Sequence, residues 1–142
     1  MISQIANSEV GSSVRTKLNT VIDRVNLGAF KIYRALISQS GASDPTATVL
    51  ANSIGAIAWA RGSAGSYTAT LAGAFLAGKV FILVGPGLAG TPDPDILYHV
   101  SALRASNDVI SVLTHEIDVV ANTITLADAV LTITSIEIAV YE

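Results

Sequence analysis

The stretch Thr46–Ala72, TATVLANSIGAIAWARGSAGSYTATLA, decides the fold. It holds three strand-like runs, Thr46–Asn52, Ala56–Arg61 and Ser66–Ala72, separated by Ser53-Ile-Gly55 and Gly62-Ser-Ala-Gly65. Runs this short, punctuated by glycine-bearing turns, point to an antiparallel all-β domain rather than to helices or a parallel sheet.

The same rhythm continues on both sides. Downstream, strands are expected at Lys79–Val84, Ile96–Arg104, Val109–His115, Thr123–Leu126 and Val130–Tyr141. The breaks fall at Gly73–Gly78, Gly85–Asp95, Ala105–Asp108 and Ala127-Asp-Ala129. Upstream, Phe30, Ile32, Arg34 and Leu36 alternate against Lys31, Tyr33 and Ala35, although Tyr33 and Ile37 give the second face apolar character too. Gly41–Pro45 then reads as a turn. The last strand carries a phase change. Leu131 and Ile133 are apolar at odd positions, whereas Ile136, Ile138 and Val140 are apolar at even ones. Strand side chains alternate faces, so a bulge or sharp bend is expected near Thr134-Ser135.

One segment has a different period. Val14, Leu18, Val21, Ile22 and Val25 lie on one face of a helix running from Ser13 to about Asn26. Ser12 or Ser13 can cap its start and Gly28 can end it. A helix of three or four turns is marginal alone. It must therefore cover an open end of its own sheet or pack against copies of itself. The expected fold is mainly β: an antiparallel β-sandwich, jelly-roll-like, preceded by one N-terminal amphipathic helix. Residues 1–28 form the lead-in and helix, and residues 29–142 the β-sandwich domain.

Composition removes several functions. Hydrophobic residues make up 51% of the 142-residue chain. Charged residues make up only 13%, about half the usual share of roughly 25%. Eight basic and eleven acidic residues give a net charge of −3. So few scattered cations make no footprint for nucleic acid. With no cysteine, disulfides, zinc-thiolate sites and a cysteine nucleophile are excluded. The sparse charge points to self-association, because interface cores are depleted of charge. No membrane span is expected. The apolar region Ala69–Gly90 is broken by Lys79, Pro86 and repeated glycines, and two short strands explain it better.

Four motifs come close to known chemistry and fall short. Gly85-Pro-Gly87-Leu-Ala-Gly90 has the spacing of a dinucleotide loop, with Asp108 downstream. That site needs a helix to begin inside the segment, and Thr91-Pro92-Asp93-Pro94 prevents one. Asp93 and Asp95 supply only part of a calcium shell. His115-Glu116 lacks the second histidine of a zinc-protease helix, because Val119 stands there. No Gly-x-Ser-x-Gly elbow occurs. No cofactor, no metal and no catalytic residue is therefore expected. His99 and His115, the chain's two histidines, read as surface or interface residues. Trp59 can stack on a sugar or pack in the core or between subunits.

Two parts of the chain resemble bacteriophage virion appendage proteins. Gly11-Ser-Ser-Val14-Arg15-Thr16-Lys17-Leu18-Asn19 is similar to a G-x-x-x-R-x-K-L/I-N segment of tail-fibre and head-fibre proteins. Most of the remainder resembles small phage fibre domains. The matching stretches are Tyr33–Gly41, Thr48–Gly55, Trp59-Ala-Arg61, Gly65–Thr68, Leu71–Phe75 and the closing Ile136–Tyr141. The resemblance implies a homotrimeric β domain with its N-terminal segment on the attachment side, contacting other virion proteins. Three copies around an axis would bury the helical stripe in a coiled-coil-like bundle. The resemblance carries no active site.

The expected function is structural: a trimeric fibre or capsid-decorating component, made in the host bacterial cytoplasm and located in the virion. It would act in assembly or surface attachment, not as an enzyme. The alternative is a carbohydrate- or receptor-binding jelly-roll module contacting a host glycan, and the third reading is a fibre-borne glycan hydrolase. Val14, Leu18, Val21, Ile22 and Val25 are the expected helical interface. Trp59, Phe75, Phe81, Ile136, Ile138 and Val140 are the expected β core or subunit contacts. Gly85, Gly87, Gly90, Asp93 and Asp95 belong to the expected exposed contact loop.

Overall fold

The structure, a computed structural model, describes residues 12–27, 30–87 and 93–141. Gly28, Gly90 and the side chains of Val14 and Val25 lie outside the described residues. The chain divides into two compact units. In the first, α1 (Ser12–Leu27) is a 16-residue helix, and the rings of Phe30 and Tyr141 meet at 5.4 Å between centroids. The α1 face presents Leu18 and Val21, 45% and 55% exposed.

The second unit, residues 31–140, is all β. Its strands are β1 (Lys31–Ser38), β2 (Thr46–Asn52), β3 (Ala58–Ser63), β4 (Ser66–Thr70) and β5 (Val80–Val84). They continue as β6 (Ile96–Arg104), β7 (Val109–Asp118), β8 (Thr123–Leu126) and β9 (Thr134–Val140). The first sheet has the order β2-β1-β9-β5. The second has the order β3-β4-β7-β6, with β8 paired to β7. Every pairing is antiparallel. The architecture is that of a β-sandwich: mainly β, with two antiparallel sheets.

One apolar cluster fills the space between the sheets. Tyr33, Ala35 and Ile37 of β1 and Ile136 and Ile138 of β9 come from the first sheet; Tyr67 and Ala69 of β4 and Ile110 and Val112 of β7 come from the second. Two faces together remove this surface from water at about 25 cal/mol per Å², the main driving force for the fold. The buried side of β1 is thus the odd series. The even series, Ile32, Arg34 and Leu36, faces outward, because β1 pairs on both flanks and its odd residues align with buried Ile138 and Ile136 of β9.

The phase change before β9 takes the form of a bend. The strand begins only at Thr134, and Ile133 just before it has φ of +52°. That left-handed conformation is strained for a β-branched residue. It lets Leu131 and Ile136, an odd number of residues apart, both face the core at 2% and 3% exposure, while Ile133 is turned out at 65%.

Phe75 is fully buried although it lies in no strand. The turn between β6 and β7 holds it. Phe75 N–H donates to the Asn107 carbonyl at 2.7 Å, Leu71 N–H to the Asp108 carbonyl at 2.8 Å, and Gly73 N–H to Asp108 Oδ1 at 2.6 Å. The Arg104 guanidinium donates to the Phe75 carbonyl and to Asn107 Oδ1, closing the loop over the ring.

Candidate functional site

A dense polar cluster sits where the crossover from β8 to β9 meets both sheets. Asp128 lies in that crossover. Arg61 of β3 donates to its carboxylate from Nε at 3.0 and 3.1 Å and from Nη2 at 2.6 Å. Gly65 N–H donates to the same carboxylate at 3.1 Å. The Tyr67 hydroxyl lies 2.8 Å from Asp128 Oδ1 and 3.1 Å from Gln39 Oε1. Gln39, buried just after β1, also accepts from Ala129 N–H at 2.7 Å and donates from Nε2 to the carbonyls of Gly41 and Ser43. Strand alternation places Arg61 and Tyr67 opposite each other on the inner face of their sheet.

The electrostatics follow from this geometry. The Arg61 hydrogen bonds hold the Asp128 carboxyl well below the usual carboxylate range, helped by Gly65 and Tyr67 and opposed by desolvation. Burial pushes the Tyr67 hydroxyl up to about 12, and its bond to Asp128 pushes the same way. Such a cluster fastens one sheet to the other. Tyr67, the hydroxyl beside the carboxylate, has 0% exposure and is closed off from solvent. Its members come from three separate parts of the sequence, Gln39, the Arg61–Tyr67 hairpin and Asp128, and Asp128 sits in a stretch that reads as an ordinary turn. No spacing signal pointed to it.

Next to the cluster, a groove of about 470 Å³ is lined by Ser38, Ser40, Ser43, Asp44, Thr46 and Thr132, with Gln39 and Leu131 at its base. A second cleft of about 170 Å³ lies on the outer face of the first sheet. There Arg34 Nε meets Glu137 Oε2 at 2.6 Å, flanked by exposed Leu50 and Leu83.

The expected interface and core residues do not share one place. Ile136 and Ile138 are in the core, and Val140 packs against it. Trp59 is partly buried against the core, and its indole N–H donates to the Tyr33 hydroxyl at 3.2 Å. That bond ties the polar edge of the indole to Tyr33 in the core. Phe81 lies outside the core, which leaves it the subunit-contact half of its expectation. It is 50% exposed on the outward row of β5, where it pairs with Ala139 of β9, which pairs in turn with Ile32 of β1. On α1, Leu18 and Val21 are exposed and Ile22 is half-buried.

The expected contact loop also divides. Asp93 and Asp95 are exposed, and Asp93 Oδ1 accepts from Asp95 N–H at 2.9 Å in a local turn. Gly85 is half-buried and continues the sheet, its N–H donating to the Ser135 carbonyl at 2.8 Å. Gly87 is buried, contrary to the expected exposure. A Cβ there would fall 2.5 Å from Val130 Cγ1 and 2.7 Å from Val100 Cγ2, so the backbone passes against the core where only glycine fits. Among the described residues, no group of three or more histidine, aspartate or glutamate side chains is placed to hold a metal. No described helix is long and apolar enough to cross a membrane.

Comparison with protein-family models, with curated proteins and with solved structures returned no match. The functional reading therefore rests on the chain's own residues.

Proposed function

We propose that the chain is a homotrimeric structural component of a bacteriophage virion. It is a fibre or capsid-decorating domain, jelly-roll-like, that works in assembly or surface attachment by binding and not by turnover. The observation that carries the reading is the amount of apolar side chain left in solvent. Leu18 and Val21 on α1, Leu50, Phe81 and Leu83 on one sheet and Leu97, Ile124 and Leu126 on the other are each at least 44% exposed. Single exposed apolar residues are ordinary; rows of them on a charge-poor chain mark surfaces meant to be covered. The N-terminal resemblance supplies the setting, with α1 on the attachment side and the sandwich facing outward or toward a neighbour.

The test is the solution mass of the full chain by light scattering after size exclusion. Three chain masses support the reading; a monomer over the micromolar range overturns it.

A second reading, a carbohydrate-binding module, has the hydroxyl-lined groove beside Asp44 in its favour. Hydroxyls and a carboxylate are the groups that exchange hydrogen bonds with a sugar. A glycan array reads it directly: saturable binding supports it, and its absence across host-surface glycans rejects it.

A further inference from the structure

The chain has two histidines, and the structure sets them side by side. His99 of β6 and His115 of β7 are direct cross-strand partners. Their ring centroids are 6.1 Å apart and the rings are tilted by 37°. Both lie on the outward row of the second sheet, since the flanking pair Val100 and Thr114 is buried in its inner face. His99 is exposed, so the pair can be reached from solvent.

Two further observations bear on the pair. His115 Nδ1 is buried and has no hydrogen-bond partner among the described residues. A buried polar atom without a partner carries a cost that a ligand can remove. Around the pair, the same face is apolar: Leu126 is the β8 partner of His115, and the adjacent row holds Leu97, Ile117 and Ile124. Glu116 follows His115 but falls on the opposite face by strand alternation, paired with Tyr98. Any ligand of this site is therefore met by imidazole nitrogens on an apolar surface, not by carboxylates.

We propose that His99 and His115 form a two-nitrogen chelate for a borderline divalent transition-metal ion such as copper(II), nickel(II) or zinc(II). Imidazole suits these ions, whereas calcium and magnesium require oxygen ligands. With metal–nitrogen bonds of about 2.0–2.1 Å, two imidazoles on one tetrahedral ion hold their ring centres roughly 5 Å apart. Side-chain rotation about χ1 and χ2 has to close the pair by about 1 Å from 6.1 Å and turn one nitrogen of each ring to the ion. The strand register holds the two residues directly opposite each other, so the second nitrogen binds intramolecularly after the first. Two protein ligands leave the remaining positions to water. This places the site among exchangeable ones, not among the closed four-ligand structural sites.

The experiment uses the full, untagged chain titrated with copper(II) alone in a non-coordinating buffer, followed by calorimetry and electron paramagnetic resonance. The proposal expects one ion per chain and hyperfine structure from two nitrogens. His99→Ala and His115→Ala should each weaken binding about tenfold or more, to a similar level, and leave one nitrogen in the spectrum. His99 is exposed, so His99→Ala keeps the test valid even if His115→Ala folds poorly; circular dichroism checks both. Equal affinity in the wild type and the single variants overturns the proposal. So does a signal from fewer than two nitrogens, or retention of the site in the double variant.

Discussion

The guanidinium of Arg61 grips the carboxylate of Asp128 from two nitrogens, 67 residues apart in the chain, with both side chains about four-fifths withdrawn from solvent. A two-pronged pair of this kind is both a charge contact and an angular constraint. Removing one partner strands the other, together with the Gly65 N–H and the Tyr67 hydroxyl that share the carboxylate.

Asp128→Asn removes the charge that Arg61 grips but keeps an Oδ1 acceptor for Gly65 and Tyr67, so it should lower stability by about 1–2 kcal/mol, measured by urea denaturation at neutral pH. The folded-state carboxyl titrates below its unfolded range, where a free aspartate sits near about 3.9. Its contribution is complete above that value and is lost as pH falls through the range below it. The wild type should lose stability on acidification more steeply than Asp128→Asn. Parallel pH profiles would remove Asp128 from the account.

Tyr67 predicts the alkaline limit. Its hydroxyl is neutral in the folded protein up to about 12, against an ordinary value of 10.0. Above about 10 the unfolded chain gains ionisation that the folded one is denied, so stability falls between about pH 10 and 12. Tyr67→Phe should flatten that decline while costing about 1 kcal/mol at pH 7 from the lost hydrogen bond. Thermal melts across the alkaline range read both effects.

Gly65 is a backbone requirement. Its φ is +63°, and a Cβ would stand 2.6 Å from both Ala127 N and the Thr114 carbonyl oxygen. Gly65→Ala should cost more than about 2 kcal/mol, combining left-handed strain with a clash against immovable backbone. Gly41→Ala is the control: φ is +57° with nothing within 4 Å of the added atom. It should cost only the conformational part, about 1–2 kcal/mol. Equal midpoints for the two variants would show that the clash relaxes away.

Leu18→Asp addresses self-association. Leu18 is 45% exposed on α1, so the substitution removes little from a single chain. It should lower the solution mass by light scattering while leaving the β circular dichroism unchanged. An assembly that survives it is not built on the α1 stripe.

The strands were largely legible in the sequence because punctuation and period agree. Thr46–Asn52, Ile96–Arg104 and Thr123–Leu126 have the expected bounds, each flanked by segments rich in turn-forming Ser, Asn, Asp, Gly or Pro. Facing was harder where both sides are apolar. β1 carries Ile32 and Leu36 on one side and Tyr33 and Ile37 on the other, and only pairing on both flanks selects the buried face. The Ile133 bend announced itself by a broken period but lies one to two residues earlier than expected. Phe81 shows the converse, a large apolar residue on an outward row. At Gly87 the sequence alone does not distinguish a turning glycine from one packed against the core, and the structure shows the second. The cluster of Gln39, Arg61, Tyr67 and Asp128 left no trace, since only the sandwich brings those positions together.

β7 serves two neighbours in tandem on a single edge: β4 spans Val109–Leu113 and β8 spans His115–Asp118. The two short strands abut at Thr114, which bonds to the Gly65 carbonyl and accepts from Ala127 N–H. All four residues of β8 are exposed. The outer hairpin is thus a hinged flap on a fixed frame. It can peel from β7 without disturbing the core beneath β4, and amide exchange should run fastest beyond Thr114 and slowest on the near side of that seam. The sandwich then has two opening energies, a low one for the flap and the global one for the rest.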